Sequence, residues 1–186
     1  MTEVFLRRLS RWQAEQQRES VADLCVEACR GMPGAGYRDR QAFLERFEQD
    51  VRQPGFDMVV ADAGGLAGCL YGYRAAPTGE WWDGFRGTLP AGVEGLTASG
   101  RVFLLSELMV VPARRRAGVA TRLWTLLVSR HTADAVVAVI RREDERGRAV
   151  LRAWGWEKLG ESAPGPGDSA PGREGWLRPP TPPCSP

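Results

Sequence analysis

Apolar residues recur along the first half of the chain at two spacings, which predict two kinds of element. Helical spacing predicts one helix within 18–32 and a second within 38–53, and the second stops at Pro-Gly-Phe. Two short apolar runs at 56–62 and 65–73, separated by Ala-Gly-Gly, predict a β-hairpin. A weaker pattern at 4–11 predicts a first, edge strand.

The second half of the chain alternates strands with helices. The run 101–111 is apolar on both faces, which is typical of a central strand, and 133–140 predicts another buried strand. Helical spacing predicts helices within 118–131 and 143–156, whereas 74–100 is rich in glycine and proline and predicts a long irregular loop. The order β-α-α-β-β-β-α-β-α indicates an α/β fold with a mixed sheet and helices on both faces.

The composition changes after Gly160, and this change suggests a domain boundary. Eight of the 13 prolines lie between 164 and 186, where they disfavour pairing in a sheet. We therefore expect one domain at 1–162 and a Pro/Gly-rich tail at 163–186, with a short strand near Trp176.

The composition narrows the function classes. A chain of 186 residues with 43% apolar residues suits a single globular domain. Its net charge of +2 is too small to favour nucleic acid or a membrane surface as a partner. The region 101–160 nevertheless holds 12 basic and 6 acidic residues, so an anionic ligand is expected there. The oligomeric state, monomer or homodimer, is left open.

The apolar segments are short. Arg7, Arg8 and Arg11 interrupt the opening stretch, so no signal peptide is expected, and no run approaches the ~20 residues that span a bilayer. These features predict a cytoplasmic protein.

The cysteines suggest neither a disulfide framework nor a metal site. Cys25 and Cys29 lie four residues apart on a predicted helix, but a metal would need further ligands and the only histidine, His131, is isolated. We expect the cysteines to be small buried apolar residues, and we expect no bound metal.

The turn after the central strand carries the most specific signal. Pro112 ends the strand, three arginines follow, and Gly118 precedes the next helix. The first amides of a helix lack intrahelical partners and carry the positive end of its dipole, so a pyrophosphate fits here. Gly118 would let a phosphate approach the backbone, while Arg115 and Arg116 would add positive charge. A plain strand-to-helix turn is the alternative.

This turn resembles the acetyl-CoA-binding motif of the GNAT superfamily of N-acetyltransferases, V-x-P-x-x-[RQ]-x-x-G-x-[GA]. The matching residues are Val110, Pro112, Arg115, Gly118 and Ala120. A second family pattern, N-x-x-A-x-x-x-Y-x-x-x-G-F, is matched in part downstream. Its positions are occupied here by Asp144, Gly147, Leu151, Gly155 and Trp156. The resemblance covers roughly residues 56 to 160.

The resemblance implies a GNAT fold, with a mostly antiparallel sheet that splays at the cofactor site, and acetyl-CoA as co-substrate. Backbone groups of Leu108, Met109 and Val110 would pair with the pantetheine arm. The pyrophosphate would be held by Arg115, Arg116, Ala117, Gly118, Val119, Ala120 and Thr121, and Asp144 would hydrogen-bond the cofactor. Leu151 replaces the tyrosine that protonates the leaving thiolate in many family members, so Tyr37, Tyr71 and Tyr73 are candidate substitutes.

Glu107 is the candidate general base, because amide formation from a thioester needs a neutral amine. It is a single carboxylate in an apolar strand, and burying such a group costs several kcal/mol unless it is paired or neutralised. The resemblance places it where some family members carry the base. An ion pair with an arginine of a neighbouring helix is the alternative, and Ser106 is interpreted as a packing residue.

The acceptor side is predicted from the irregular loop and the second predicted helix. Trp81 and Trp82, with Glu80 and Asp83 beside them, could form an aromatic, acidic wall for a cationic amine. The alternative is that the tryptophans only cover the sheet. Tyr37 is the further candidate on this side.

The sequence as a whole thus predicts an N-acetyltransferase that moves an acetyl group from acetyl-CoA to a small-molecule or peptide amine by direct attack. An acetyl-CoA-binding module without efficient turnover is the first alternative, because Leu151 has no proton to give. An arginine-rich nucleic-acid-binding domain is the second, and the low net charge argues against it.

Overall fold

The computed structural model describes residues 3–30, 40–132, 134–162 and 172–181. These residues form two compact units, and the central strand β4 (Val102–Val110) contributes to both. The first unit contains Met1–Tyr73 and Ser106–Arg130, and the second contains Arg74–Leu105 and His131–Pro186.

The first unit has helices on both faces of its strands. It contains β1 (Phe5–Leu9), α1 (Arg11–Gln16), α2 (Arg18–Cys29), α3 (Arg40–Arg52), β2 (Asp57–Asp62), β3 (Leu66–Arg74), the end of β4 and α5 (Val119–Val128). Its strands lie in the order β1-β2-β3-β4, and β1-β2 and β2-β3 are antiparallel. Alternate residues of β2 face opposite sides. One side packs with α1 to α3 around Phe43, Phe47 and Tyr71, and α5 contacts β2 and β1.

Gly68 permits a close approach between β3 and β4. A Cβ added at Gly68 would lie 2.9 Å from the Met109 carbonyl oxygen and 3.3 Å from side-chain atoms of Leu123 and Val110. Any side chain at this position would therefore push β3 away from the strand that carries Glu107.

The second unit contains α4 (Ala91–Ala98), the start of β4, β5 (Ala135–Arg141), α6 (Glu145–Ala153), β6 (Glu157–Ser162) and β7 (Arg173–Arg178). The strand order is β4-β5-β7-β6. β4 and β5 are parallel, with Val102–Leu105 opposite Ala135–Ala138, and the β5-β7 and β6-β7 pairs are antiparallel. Together the described strands form one mixed, mostly antiparallel sheet of seven strands, which confirms the predicted fold class.

Four of the described elements were not predicted. The chain between 74 and 100 is not wholly irregular, because it contains α4 and a short 3₁₀ turn at Glu80–Trp82. Helix α1 begins after Ser10, whose side chain accepts from the Gln13 amide. Strand β6 was also missed, whereas the strand predicted near Trp176 is present as β7 and lies between β5 and β6.

Of the described cysteines, Cys25 and Cys69 are buried, as expected of small apolar residues, whereas Cys29 is half-buried. Cys184 lies outside the described residues. Among the described helices, none combines the length and the apolar character that crossing a bilayer requires.

Candidate active site

Glu107 lies on β4 with only 12% of its side chain exposed, and its carboxylate has a cationic partner. The Arg46 Nη2 atom of α3 lies 3.1 Å from Glu107 Oε2. The Arg46 guanidinium also lies over the Phe43 ring, 5.5 Å from its centroid. The ion pair considered from the sequence is therefore present. Because 46% of the Arg46 side chain is exposed, this pair borders on solvent.

Ser106, the residue before Glu107, also contacts α3. Its hydroxyl donates to Asp50 Oδ2 over 2.6 Å, so its role is not simple packing. Asp50 is only 6% exposed. Burial raises the pKa of Asp50 and the Glu107 charge adds to this, whereas the Ser106 hydroxyl and Arg46 act in the opposite direction.

Asp50 is a polar residue of the site that sequence reasoning missed. It lies on α3 seven residues after Phe43 and three after Phe47, so it shares their buried face. A carboxylate in the apolar register of a helix was the signal that could have identified it.

Two tyrosines of β3, Tyr71 and Tyr73, lie close enough to Asp50 to be affected by its charge. Tyr71 is fully buried, with its ring centroid 5.2 Å from that of Phe47, and its hydroxyl has no hydrogen-bond partner among the described residues. Burial raises the pKa of Tyr71 well above its ordinary value, and the charges of Glu107 and Asp50 add to the effect. Burial and Asp50 likewise raise the pKa of Tyr73. Both phenols are therefore neutral proton donors at ordinary pH, whereas Tyr37 lies outside the described residues.

The turn from β4 to α5 has the backbone shape expected of an anion site. Arg116 has φ +61°, the only positive φ of a non-glycine residue in the described chain, and Gly118 has φ +72° directly before α5. A non-glycine residue in this region stores about 1–3 kcal/mol of strain and persists where the surroundings impose it. Val119 is buried, whereas Arg116, Ala117, Gly118 and Thr121 are exposed and Ala120 is half-buried.

Arg115 connects this turn to β4 and α2 through hydrogen bonds to two backbone carbonyls. Its Nε donates to the Val110 carbonyl over 3.2 Å, and its Nη2 donates to the Ala28 carbonyl in the last turn of α2. A cation at the C-terminal end of a helix is favoured by the helix dipole. These contacts make Arg115 a link between β4, the turn and α2, in addition to its positive charge.

Two features of this turn are compatible with the pyrophosphate group of acetyl-CoA. Among the described residues, no side chain caps the start of α5, so this helix end is open to an anion. A Cβ built on Gly118 would meet nothing within 4 Å, so a phosphate can reach the backbone there. Leu108, Met109 and Val110 precede the turn on β4, beyond the Val102–Leu105 ladder with β5.

The downstream residues of the resemblance lie in the second unit. Asp144 is the N-cap of α6 and its Oδ1 accepts from the Gly147 amide over 2.8 Å, so this oxygen stabilises the helix start. Leu151 is buried on α6 at 4% exposure. An alkyl side chain there has no proton to donate.

Trp81 and Trp82 pack within the second unit. Trp82 stacks on Phe85 with centroids 4.6 Å apart, and it would lie 3.0 Å from a Cβ at Gly160 and 3.1 Å from one at Gly175. Phe85 already has the Arg173 guanidinium 5.7 Å from its centroid. These contacts favour the alternative that the aromatic residues cover β6 and β7. Asp83 and Glu80 are exposed.

Solved structures with a similar fold include acetyltransferases and proteins solved with acetyl-CoA. The GNAT superfamily phosphinothricin acetyltransferase from Sinorhizobium meliloti, solved with AcCoA, is 19% identical, with 97% of this chain and 90% of that chain covered at a TM-score of 0.62. The yncA protein from Salmonella typhimurium, solved with its cofactor acetyl-CoA, is 13% identical, with 99% and 98% covered and a TM-score of 0.62.

A third structure is the ribosomal-protein-S18-alanine N-acetyltransferase from Escherichia coli, 10% identical, with 96% of this chain and 95% of that chain covered at a TM-score of 0.60. No protein-family model matches the sequence, and no curated protein sequence matches it. At these identities the similarity is one of fold. The chain has the GNAT fold, which confirms the resemblance found in the sequence.

Proposed function

We propose that this protein is an N-acetyltransferase that transfers an acetyl group from acetyl-CoA to an amine. The observation that carries the proposal is one arrangement within the first unit. Strand β4 holds the Glu107 carboxylate and then enters the strained Arg116–Gly118 turn, which opens onto the start of α5. This segment therefore combines a proton acceptor with backbone amides at a helix start that can bind a pyrophosphate. Both features suit acyl transfer from a CoA thioester.

The cofactor residues follow from the same segment. The amides from Arg116 to Thr121 would hold the pyrophosphate, and backbone groups of Leu108, Met109 and Val110 would pair with the pantetheine arm. Arg115 positions the turn through Val110 and Ala28. Acetyl-CoA supplies an activated acyl group and a thiolate leaving group when bound.

Glu107 acts as the general base in this proposal. Its carboxylate accepts a proton from the ammonium form of the acceptor, so that the neutral nitrogen attacks the acetyl carbonyl directly. The Arg46 guanidinium stabilises the ionised carboxylate. Cys69 is not a nucleophile in this scheme, because burial and the nearby Glu107 charge raise its pKa well above the ordinary value.

The acceptor class remains an amine of a small molecule or a peptide. Among the described residues, the candidate acceptor contacts are Trp81, Trp82 and Asp83 with Glu80, and Tyr37 is the candidate outside them. Asp83 and Glu80 are exposed and could attract a cationic acceptor.

Leu151 supports a second candidate function, an acetyl-CoA-binding module without efficient turnover. The position that carries a tyrosine in many family members is here a buried alkyl group. The two functions differ in one measurement, the release of free thiol from acetyl-CoA with and without a panel of amines. Acceptor-dependent release supports the transferase, and binding without release supports the module.

A matched pair of variants at Gly118 tests the cofactor site. Acetyl-CoA at 100 times its Kd should stabilise the wild-type fold by ~2.7 kcal/mol. Gly118→Asp should abolish this gain, because it places a negative charge in the open space before α5. Gly118→Asn has the same shape and backbone tolerance without the charge, so it should retain part of the gain. An undiminished thermal shift in Gly118→Asp would place the cofactor elsewhere.

A further inference from the structure

Strand β4 is one residue longer than the facing chain of β3 between two hydrogen bonds that join them. The Val111 amide donates to the Ala67 carbonyl over 2.9 Å, and the Ala75 amide donates to the Val102 carbonyl over 2.9 Å. The chain advances eight residues from Ala67 to Ala75 but nine from Val102 to Val111. An extra residue on one strand of an antiparallel pair is a β-bulge, which bends the strand and redirects its side chains.

The side chains of Ser106 and Glu107 locate the extra residue. Met109 packs in the core with α1 to α3, so regular alternation along β4 places Glu107 on the same side of the sheet and Ser106 on the opposite side. Both residues contact α3 instead. Ser106 donates to Asp50 over 2.6 Å, and Glu107 pairs with Arg46 over 3.1 Å. The bulge therefore lies at these two consecutive residues.

The hydrogen bond between Ser106 and Asp50 gives a physical reason for this position of the bulge. Asp50 is 6% exposed, and among the described residues its hydrogen-bond donor is the Ser106 hydroxyl. A regular β4 would turn Ser106 away from α3 and leave the Asp50 carboxyl buried without that donor. Such a loss costs more free energy than a typical backbone hydrogen bond contributes, so the packing of α3 on β4 favours the bulge.

The ion pair between Arg46 and Glu107 is a weaker constraint on β4. Because 46% of the Arg46 side chain is exposed, the pair borders on solvent, where ion pairs contribute little and constrain geometry weakly. The Ser106 hydroxyl is separated from its backbone by a single rotatable bond, and its partner is buried. The Ser106 contact therefore restrains the backbone of β4 more directly than the Arg46 contact does.

We propose that Ser106 and Asp50 are positioning residues of the acetyl transfer, because their hydrogen bond fixes the bulge that keeps the Glu107 carboxylate on the α3 side of β4. Neither residue touches the acceptor in this scheme, and both act through Glu107. The kinetic part of the proposal rests on the proposed acetyltransferase function, whereas the position of Glu107 can be measured without it.

Crystal structures of the wild type and of Ser106→Ala, both without substrate, test the positional claim. In Ser106→Ala the bulge should disappear or move along β4, and the Glu107 carboxylate should leave Arg46. Asp50→Ala removes the same hydrogen bond from the side of α3 and should give the same change, so it replaces Ser106→Ala if that variant does not fold. A bulge and a Glu107 carboxylate that stay in place without this hydrogen bond overturn the proposal.

Turnover gives the second measurement. In Ser106→Ala, kcat should fall ~10- to 100-fold through misplacement of the base, while the Kd for acetyl-CoA stays the same. Asp50→Asn keeps an oxygen that can accept from the Ser106 hydroxyl, so it should restore most of the activity lost in Asp50→Ala. Thr97→Val is the matched control. Thr97 is 4% exposed and its hydroxyl donates to the Val93 carbonyl over 2.8 Å, so this variant loses a buried hydroxyl of α4 and should keep the wild-type kcat.

A double variant separates positioning of the base from a general loss of structure. Ser106→Ala added to Glu107→Gln should cause little further loss of kcat, because the group through which Ser106 acts is already removed. Losses that multiply in the double variant contradict the positioning role. Absence of turnover with every amine in the wild type rejects the proposed function instead, and the crystal structures then decide the position of Glu107 alone.

Discussion

Asp50 and Glu174 are buried carboxylic acids of different units, and their surroundings shift their pKa values in opposite directions. Asp50, on α3 of the first unit, accepts from one hydroxyl, and burial raises its pKa. Glu174, on β7 of the second unit, is 3% exposed and accepts from Arg148 over 3.1 Å, Lys158 over 3.0 Å and the Trp176 indole over 3.3 Å. Burial alone would raise the pKa of Glu174, but the Lys158 and Arg148 hydrogen bonds outweigh it and lower the pKa.

The lowered pKa of Glu174 is typical of a structural acid, whereas the raised pKa of Asp50 is typical of an acid that can gain or lose a proton nearer neutral pH. Glu174 has three donors, so its charge is compensated and a proton adds only at low pH. Asp50 accepts from the Ser106 hydroxyl, and the neighbouring Tyr71 hydroxyl has no partner among the described residues. A buried acid whose pKa is raised by burial, as that of Asp50 is, is more typical of a functional site than a fully compensated one.

The largest expected effect is on turnover. Glu107→Gln keeps the side-chain shape but cannot accept a proton, so kcat should fall by ~10²–10⁴ while acetyl-CoA affinity changes little. Glu174→Gln, assayed on the folded fraction, should leave kcat near the wild-type value. Steady-state kinetics with the best acceptor compare the two variants. Equal rates for Glu107→Gln and wild type would make Glu107 a purely structural partner of Arg46.

The free energy of unfolding should fall more in Glu174→Gln than in Glu107→Gln. Glu174→Gln leaves the Arg148 and Lys158 charges without their shared acceptor and should cost about 1–3 kcal/mol of unfolding free energy. Because Arg148 and Lys158 are 24% and 35% exposed, water limits the loss to less than that of a fully buried pair. Urea unfolding measures the effect, and Glu161→Gln, which also contacts Lys158 but is partly exposed, serves as the milder control.

The pH dependence of this loss has a definite sign. The folded-state pKa of Glu174 lies below its unfolded value, so its contribution is complete above the unfolded value and disappears as pH falls through the folded one. The difference between wild type and Glu174→Gln should therefore shrink in acid. Asp50 has a raised pKa, so its contribution is complete at low pH and is lost as pH rises. A stability difference for Glu174→Gln that grows on acidification would contradict this assignment.

The contrast between the two acids also explains what the sequence could and could not predict. Apolar spacing was sufficient for β2 to β5 and for α2, α3 and α5, which bury several apolar residues each. It also located β1 and α6, although each buries only one residue. It failed for α4, whose Ala91–Ala98 segment contains two glycines, and for β6, which is mostly exposed or half-buried. Helix α1 has only six residues, but Ser10 and Gln13 form a capping box that could have revealed it.

The site was predictable only where its residues are adjacent in sequence. The segment from Glu107 to Thr121 is continuous in sequence, so the candidate base and the candidate cofactor turn could both be predicted from it. The contacts of Arg46 and Asp50 depend on α3 packing against β4, with sequence separations of 61 and 56 residues. Pairings of this kind are tertiary, and no local propensity specifies them. The same limit explains why the contacts of Arg115 with Val110 and Ala28 were not predicted; its assignment to the cofactor stays a prediction.

The smallest expected effect concerns exposed acids, which differ from both Asp50 and Glu174 in being fully hydrated. The double variant Glu80→Gln with Asp83→Asn should raise KM for a polycationic acceptor about two- to fivefold, the equivalent of ~0.5–1 kcal/mol for exposed contacts. KM for acetyl-CoA should not change, because neither residue belongs to the β4–α5 turn. Neutral acceptors provide the control, since they gain nothing from either carboxylate. Unchanged KM for cationic acceptors would show that Trp81 and Trp82 serve only to cover β6 and β7, as the packing of Trp82 against Gly160 and Gly175 favours.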